Sequence, residues 1–145
     1  MAPQEPYDLD GLRRFVHEHT GLRPVGTRTT KLGKAGKILW FCMENPAAIA
    51  DAFESLLHEF LHWQFATPAQ RRKPNSGILR SHWKQEQAIL HFEHALVDEA
   101  GVRLHIIGAR IPTTAQLDAA QLDELCTQHV PAWMRTYLLR LLKGG

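Results

Sequence analysis

The residues best suited to chemistry lie together in the run His58-Glu59-Phe60-Leu61-His62. Two histidines four residues apart on a helix project from the same face, one turn apart, so both imidazoles can reach a single ion at about 2 Å. Glu59 follows the first of them and sits beside that face, where a carboxylate can take a proton from a water that the ion has made acidic. The plainer alternative is a solvated helix face on which two histidines happen to fall four apart.

That chemistry requires a helix, and the flanking residues supply the signals for one. Asn45 is a good N-cap, Pro46 suits the first helical position, and no further Gly or Pro occurs until Pro68. The spacing predicts a helix from Asn45 to Thr67. Ile49, Phe53, Leu56, Leu57, Phe60 and Leu61 form its apolar stripe, whereas Asp51, Ser55, His58, Glu59 and His62 form a separate polar one. Asp51 and Ser55 are candidates to orient the two imidazoles from behind.

The five-residue motif and its helix resemble the active-site helix of the zincin metallopeptidases; the likeness covers this segment and not the whole chain. The resemblance implies a single-domain zinc-dependent peptidase in which His58 and His62 bind Zn²⁺ and Glu59 is the general base that activates water against a peptide or protein substrate. The long metzincin motif places Gly and a third His soon after the second, but this chain continues Trp63-Gln64-Phe65-Ala66-Thr67. A gluzincin-like arrangement, with a Glu on a later helix as third ligand, is the closer match. Zincins also hold the substrate backbone on an edge strand beside the metal. The oxyanion stabiliser stays open, since Tyr137 and several histidines qualify by type.

The next helical segment, capped by Ser81 and running to Ala100 before Gly101, must carry that third ligand. At about 100° per residue, Ala88, Ile89, Phe92, Ala95 and Leu96 define its core direction. Glu86 and Glu93 share a flank with Leu90 and Val97, while His94 points almost opposite. An antiparallel return puts Glu86 level with the imidazoles, about six residues into the helix, with Glu93 two turns further on. Glu86 therefore leads, Glu93 is the alternative, and His94 or His91 follows. Gluzincins commonly place an Asp four residues after the ligand Glu, yet positions 90 and 97 are Leu and Val; only His94 has such a partner, Asp98.

The other segments supply the frame. Asp8 to Thr20 reads as a helix ended by Gly21, with His17 and His19 near its C-terminal end, where a cation is favoured. Val25–Leu32 and Lys37–Met43 read as the two strands of a hairpin around Gly33-Lys34-Ala35-Gly36, and Val102–Ile107 as a third strand. A helix capped by Thr113 or Thr114 runs to about His129, and Pro131 opens a last one carrying Trp133, Met134, Tyr137, Leu138, Leu141 and Leu142. The expected fold class is α+β: a mostly helical bundle with a small antiparallel hairpin or three-stranded sheet beside the metal-binding helix.

Composition sets the outer bounds. With 145 residues, 44% hydrophobic and 22% charged, the chain makes one domain, 1–145, with a proper core. A net charge of +2 is too small to argue for a nucleic-acid partner, and none is expected; the one basic cluster, Arg71-Arg72-Lys73, reads as part of a solvated loop, with a phosphate contact as the alternative. The two cysteines, Cys42 and Cys126, give no disulfide framework. The first residues, Met-Ala-Pro-Gln-Glu-Pro-Tyr-Asp, lack the basic and apolar regions of a signal peptide, no apolar run reaches membrane length, and the expected compartment is the cytoplasm. A second functional class stays open: a metal-binding regulatory or protein-interaction module whose peptidase activity is latent or lost.

Overall fold

The computed structural model describes residues 6–29, 32–44, 48–72, 83–102 and 117–145. Among them six helices accompany one small sheet, an α+β architecture in the order α1 (Leu9–Thr20), β1 (Arg23–Thr27), β2 (Gly33–Ala35), β3 (Ile38–Cys42), α2 (Ile49–Phe65), α3 (Pro68–Arg72), α4 (Trp83–Ala100), α5 (Ala119–His129) and α6 (Ala132–Leu142). No helix among the described residues is long and apolar enough to cross a membrane.

The three-stranded sheet expected beside α2 is present and mixed, and its antiparallel hairpin is made by β2 and β3 rather than by 25–32 and 37–43. Its order is β1-β3-β2: β1 runs parallel to β3, with Val25 opposite Trp40, and only the short β2 pairs antiparallel, with Lys34 opposite Leu39. The segment read as one long strand from Val25 to Leu32 is therefore not one strand. The turn lies two residues later than expected, around Gly36, whose φ of 60° suits a residue without a Cβ. In β3 the buried side chains alternate, so Leu39 and Phe41 face inward onto α2. The further strand expected at 102–107 falls, apart from Val102, outside the described residues.

Helix ends follow local chemistry. The Asp8 carboxylate accepts the amide of Gly11 at 2.9 Å to cap α1, and Gly21 closes it in the left-handed conformation with φ 75°. The expected Asn45 cap of α2 lies outside the described residues; the helix is well formed from Ile49, which is exposed rather than part of the apolar stripe. Helix α2 stops at Phe65 because Thr67 and Pro68 open a new helix where a loop was expected. Thr67 and Gln70 cap each other reciprocally there, through bonds of 3.2 and 2.8 Å. Helix α5 begins at Ala119, later than the Thr113 or Thr114 start expected from sequence, behind a capping box between Asp118 and Gln121. The cap at Ser81 and those two threonines are also outside the described residues.

Helix α2 is the central element. Phe53, Leu56, Leu57, Phe60 and Leu61 are fully buried against α1, β3 and α4. Helix α4 turns Ala88, Ile89, Leu90, Phe92, Leu96 and Val97 inward, while Ala95 is exposed, so its buried face is rotated from the expected one toward the Leu90–Val97 flank. That rotation brings Glu86 and Glu93 round to face α2. Neighbouring contacts run in opposite order along the two helices: Gln85 donates to the Phe65 carbonyl at 3.0 Å, Glu86 meets His62, and Glu93 meets His58. The pair is thus antiparallel.

Helix α6 closes the bundle against α1 and α4. The amides of Tyr7 and Asp8 donate to the carbonyls of Leu142 and Leu141 at 2.9 and 2.8 Å, which pins the start of α1 to the end of α6. Gly11 lies at this crossing. In a helix interior alanine ordinarily gains about 1 kcal/mol over glycine. Here a Cβ would stand 2.7 Å from the Leu141 side chain and press into the Asp8 carboxylate. Gly11→Ala is expected to destabilise the fold by about 1–3 kcal/mol through overpacking, seen as a lowered thermal midpoint. A raised midpoint would mean that helix propensity outweighs the clash.

Candidate metal centre

Position along α2 decides what its polar residues meet. His58 is buried in the middle of the helix, and His62 lies one turn further on, near the C-terminal end. Their rings stand 4.7 Å apart between centroids and nearly perpendicular, at 83°, with the two Nε2 atoms 3.1 Å from each other. Glu86 of α4 reaches into the same space: Oε1 is 3.3 Å from His58 Nε2 and Oε2 is 3.0 Å from His62 Nε2. Among the described residues, His58, His62 and Glu86 are the group of ligand-type side chains whose donor atoms converge.

These distances suit a coordination sphere. Tetrahedral ligands bound at about 2.0–2.1 Å stand about 3.3 Å from one another. The two Nε2 atoms lie 3.1 Å apart and each has one Glu86 oxygen at 3.0–3.3 Å, Oε1 at His58 and Oε2 at His62, so the carboxylate spans the pair. Two imidazoles with one carboxylate also leave a fourth position for water or substrate, and this donor set suits zinc while accommodating other divalent ions.

Behind the cluster, Glu93 Oε1 lies 2.9 Å from His58 Nδ1, and Glu93 is fully buried. An ionised Glu93 can only accept, and with it Nδ1 carries the proton and donates. In a neutral His58 ring, Nε2 then presents its lone pair toward His62 and Glu86. A lone pair facing a carboxylate oxygen needs a cation between them, either a proton or a metal ion.

Without metal, the proton takes that place. Burial works against charging His58, but Glu93 and Glu86 outweigh it and raise the imidazolium to about 10. Burial would raise Glu86 as well, yet hydrogen bonds from His58 and His62 hold its carboxyl far below the usual range. Glu93 is pushed up by its burial, against the pull of His58.

None of the other sequence candidates among the described residues joins the converging donors. Glu59 is half-buried on α2, directly after His58. The alternative ligand Glu93 stands behind His58 rather than among the converging donors. His94 lines a separate cavity with His91 and Asp98, and His91 Nε2 pairs with Asp123 of α5 at 2.7 Å. Ser55 accepts the Cys42 amide at 2.7 Å and ties α2 to β3, and both ring nitrogens of His58 are engaged elsewhere, so neither Ser55 nor Asp51 backs that imidazole. Tyr137 packs on Phe15 in an aromatic group with Trp133 and His19, and His17 Nδ1 donates to the Leu22 carbonyl.

Arg71 belongs to α3 rather than to a solvated loop: it donates to the carbonyls of Trp63 and Gln64 at 3.0 and 2.9 Å and lies over the Trp63 ring. The backing role of Glu93 had one signal in the sequence, its place two turns after Glu86 on the same flank. Compared with protein-family models, curated proteins and solved structures, the chain matches none of them.

The shifts dictate a pH dependence for the metal-free protein. His58 has a folded-state value of about 10 against an ordinary 6.5, so its contribution to stability is complete below about 6.5 and is lost as pH rises through 10. Glu86, whose value is depressed, contributes above the ordinary 4.5 and loses that contribution in acid. Urea unfolding of chelator-treated protein should therefore show a lower midpoint at pH 9.5 than at pH 6. Equal midpoints would contradict the charged His58 described here.

Proposed function

We propose that the chain is a small zinc-dependent peptidase with His58, His62 and Glu86 as ligands. The observation that carries this reading is the approach of both Nε2 atoms and the two Glu86 carboxylate oxygens to within 3.0–3.3 Å of one another. A divalent ion bound there supplies Lewis acidity, which makes water acidic at neutral pH and polarises the carbonyl to be attacked. Glu59 takes the proton from the attacking water and delivers it to the leaving amine. Glu86 faces His58 and His62 from the neighbouring helix, so the site is built across the α2–α4 pair. At the edge of the sheet and in contact with α2, β2 offers backbone groups against which an extended peptide substrate can lie.

We place this activity in the cytoplasm. Both cysteines are free thiols, Cys126 buried in the core and Cys42 half-buried on β3, which is compatible with a reducing compartment.

Replacement of the general base tests the reading. Wild type and Glu59→Gln should each hold about one zinc per chain by elemental analysis, while the variant cleaves reduced casein at least about 100-fold more slowly. His62→Ala should lose the zinc. Zinc in both wild type and Glu59→Gln with cleavage by neither would favour the metal-binding interaction module. No stoichiometric zinc in the wild type would remove both readings.

A further inference from the structure

We propose that Glu93 is a positioning residue: it holds the His58 ring through Nδ1–H and thereby turns Nε2 toward His62 and Glu86. The purpose of that hold rests on the metal-site reading, but the hold itself is a matter of geometry. Glu93 has no exposed surface and is flanked on α4 by Ile89, Leu90, Phe92, Leu96 and Val97, all buried. Its Oε1 meets His58, and its buried Oε2 has no hydrogen-bond partner among the described residues.

As a stabilising device this arrangement is poor. A carboxyl buried in apolar surroundings with one bond is costly, and a buried polar pair replaced as a whole by apolar side chains of similar volume often leaves a fold as stable or more so. Its use lies in what the bond does to the ring. A neutral imidazole carries one proton on either nitrogen, and a proton on Nε2 would bar that atom from ligating. An acceptor at Nδ1 settles the choice, fixes the ring's rotation and makes Nε2 a stronger donor toward a cation.

The contrast with His62 sharpens the point. Its Nδ1 is also buried but meets no partner among the described residues, so only one of the two rings is held from behind. Both carboxylates that address His58 come from one helix. Seven residues at about 100° each bring Glu93 within about 20° of the direction of Glu86, two turns along. Glu86 therefore meets the front of the ring while Glu93 meets its back.

The test compares wild type, Glu93→Leu and Glu93→Gln, with the metal-free ring protons followed by NMR and zinc affinity followed by chelator competition. Wild type should show a downfield, slowly exchanging ring N–H assigned to His58 Nδ1. In Glu93→Leu that resonance should vanish and zinc affinity should fall roughly 10–100-fold. Glu93→Gln keeps the shape and an acceptor oxygen, so it should restore part of the affinity, with the resonance moved upfield. Should the Leu variant fail to fold, the Gln variant decides alone: an unmoved resonance with unchanged zinc affinity overturns the proposal. So does a folded Leu variant that retains both. A wild type that takes up no zinc yet shows the Nδ1–H removes the metal reading and leaves the hold of Glu93 on the ring supported.

Discussion

The hydrogen bond between His58 and Glu93 crosses the interface on which the rest of the molecule depends, the packing of α2 against α4. Two polar side chains meet inside a wall of Phe, Leu and Ile, and neither tolerates being there alone. Removing one member of such a buried pair costs about 3–5 kcal/mol, because the other is left without compensation. Sliding the helices by one turn would separate the pair just as surely. The bond therefore selects the register of α2 against α4, and that register puts Glu86 opposite both imidazoles.

Around this interface the fold acts as a brace for α2. The sheet covers it through Leu39 and Phe41, with Ser55 joined to the β3 backbone. Helix α1 packs along it through Phe15, whose ring meets Phe60 edge-on at 5.5 Å. Helix α6 sits behind α1 and α4 and ties down the segment that starts α1. Helix α2 is thus held on several sides, with His58 and His62 facing the helix that brings Glu86 and Glu93.

How much of this was legible in the sequence differs from element to element. The helices around residues 49–65 and 83–100 were readable because their apolar spacing is long and regular, and the ends of α1 because Asp8 and Gly21 are strong local signals. The sheet was misread: Val25 to Leu32 has the composition of one strand, and only pairing partners distant in sequence decide where a strand breaks and whether its neighbour runs parallel. The rotation of α4 was off for a similar reason. Ala95 counts as apolar, yet a small side chain carries little weight in deciding which face is buried. Glu86 and Glu93 could be placed on one flank from angular position alone, but their depth against α2 depends on a connection that includes α3, a helix that local propensity did not reveal. Which carboxylate faces the front of His58 and which its back is a tertiary fact.

Arg71 gives the site a property that a list of donors would miss. The last turn of a helix ordinarily frays, since its carbonyls lack amide partners. His62 belongs to that last turn, but the guanidinium of Arg71 takes up the carbonyls of Trp63 and Gln64 while lying 3.9 Å from the Trp63 ring centroid. The short helix that follows thus works as a splint, and α2 behaves at residue 62 like the interior of a longer rod. Of the two imidazoles, the one without a carboxylate behind it is steadied through the main chain instead.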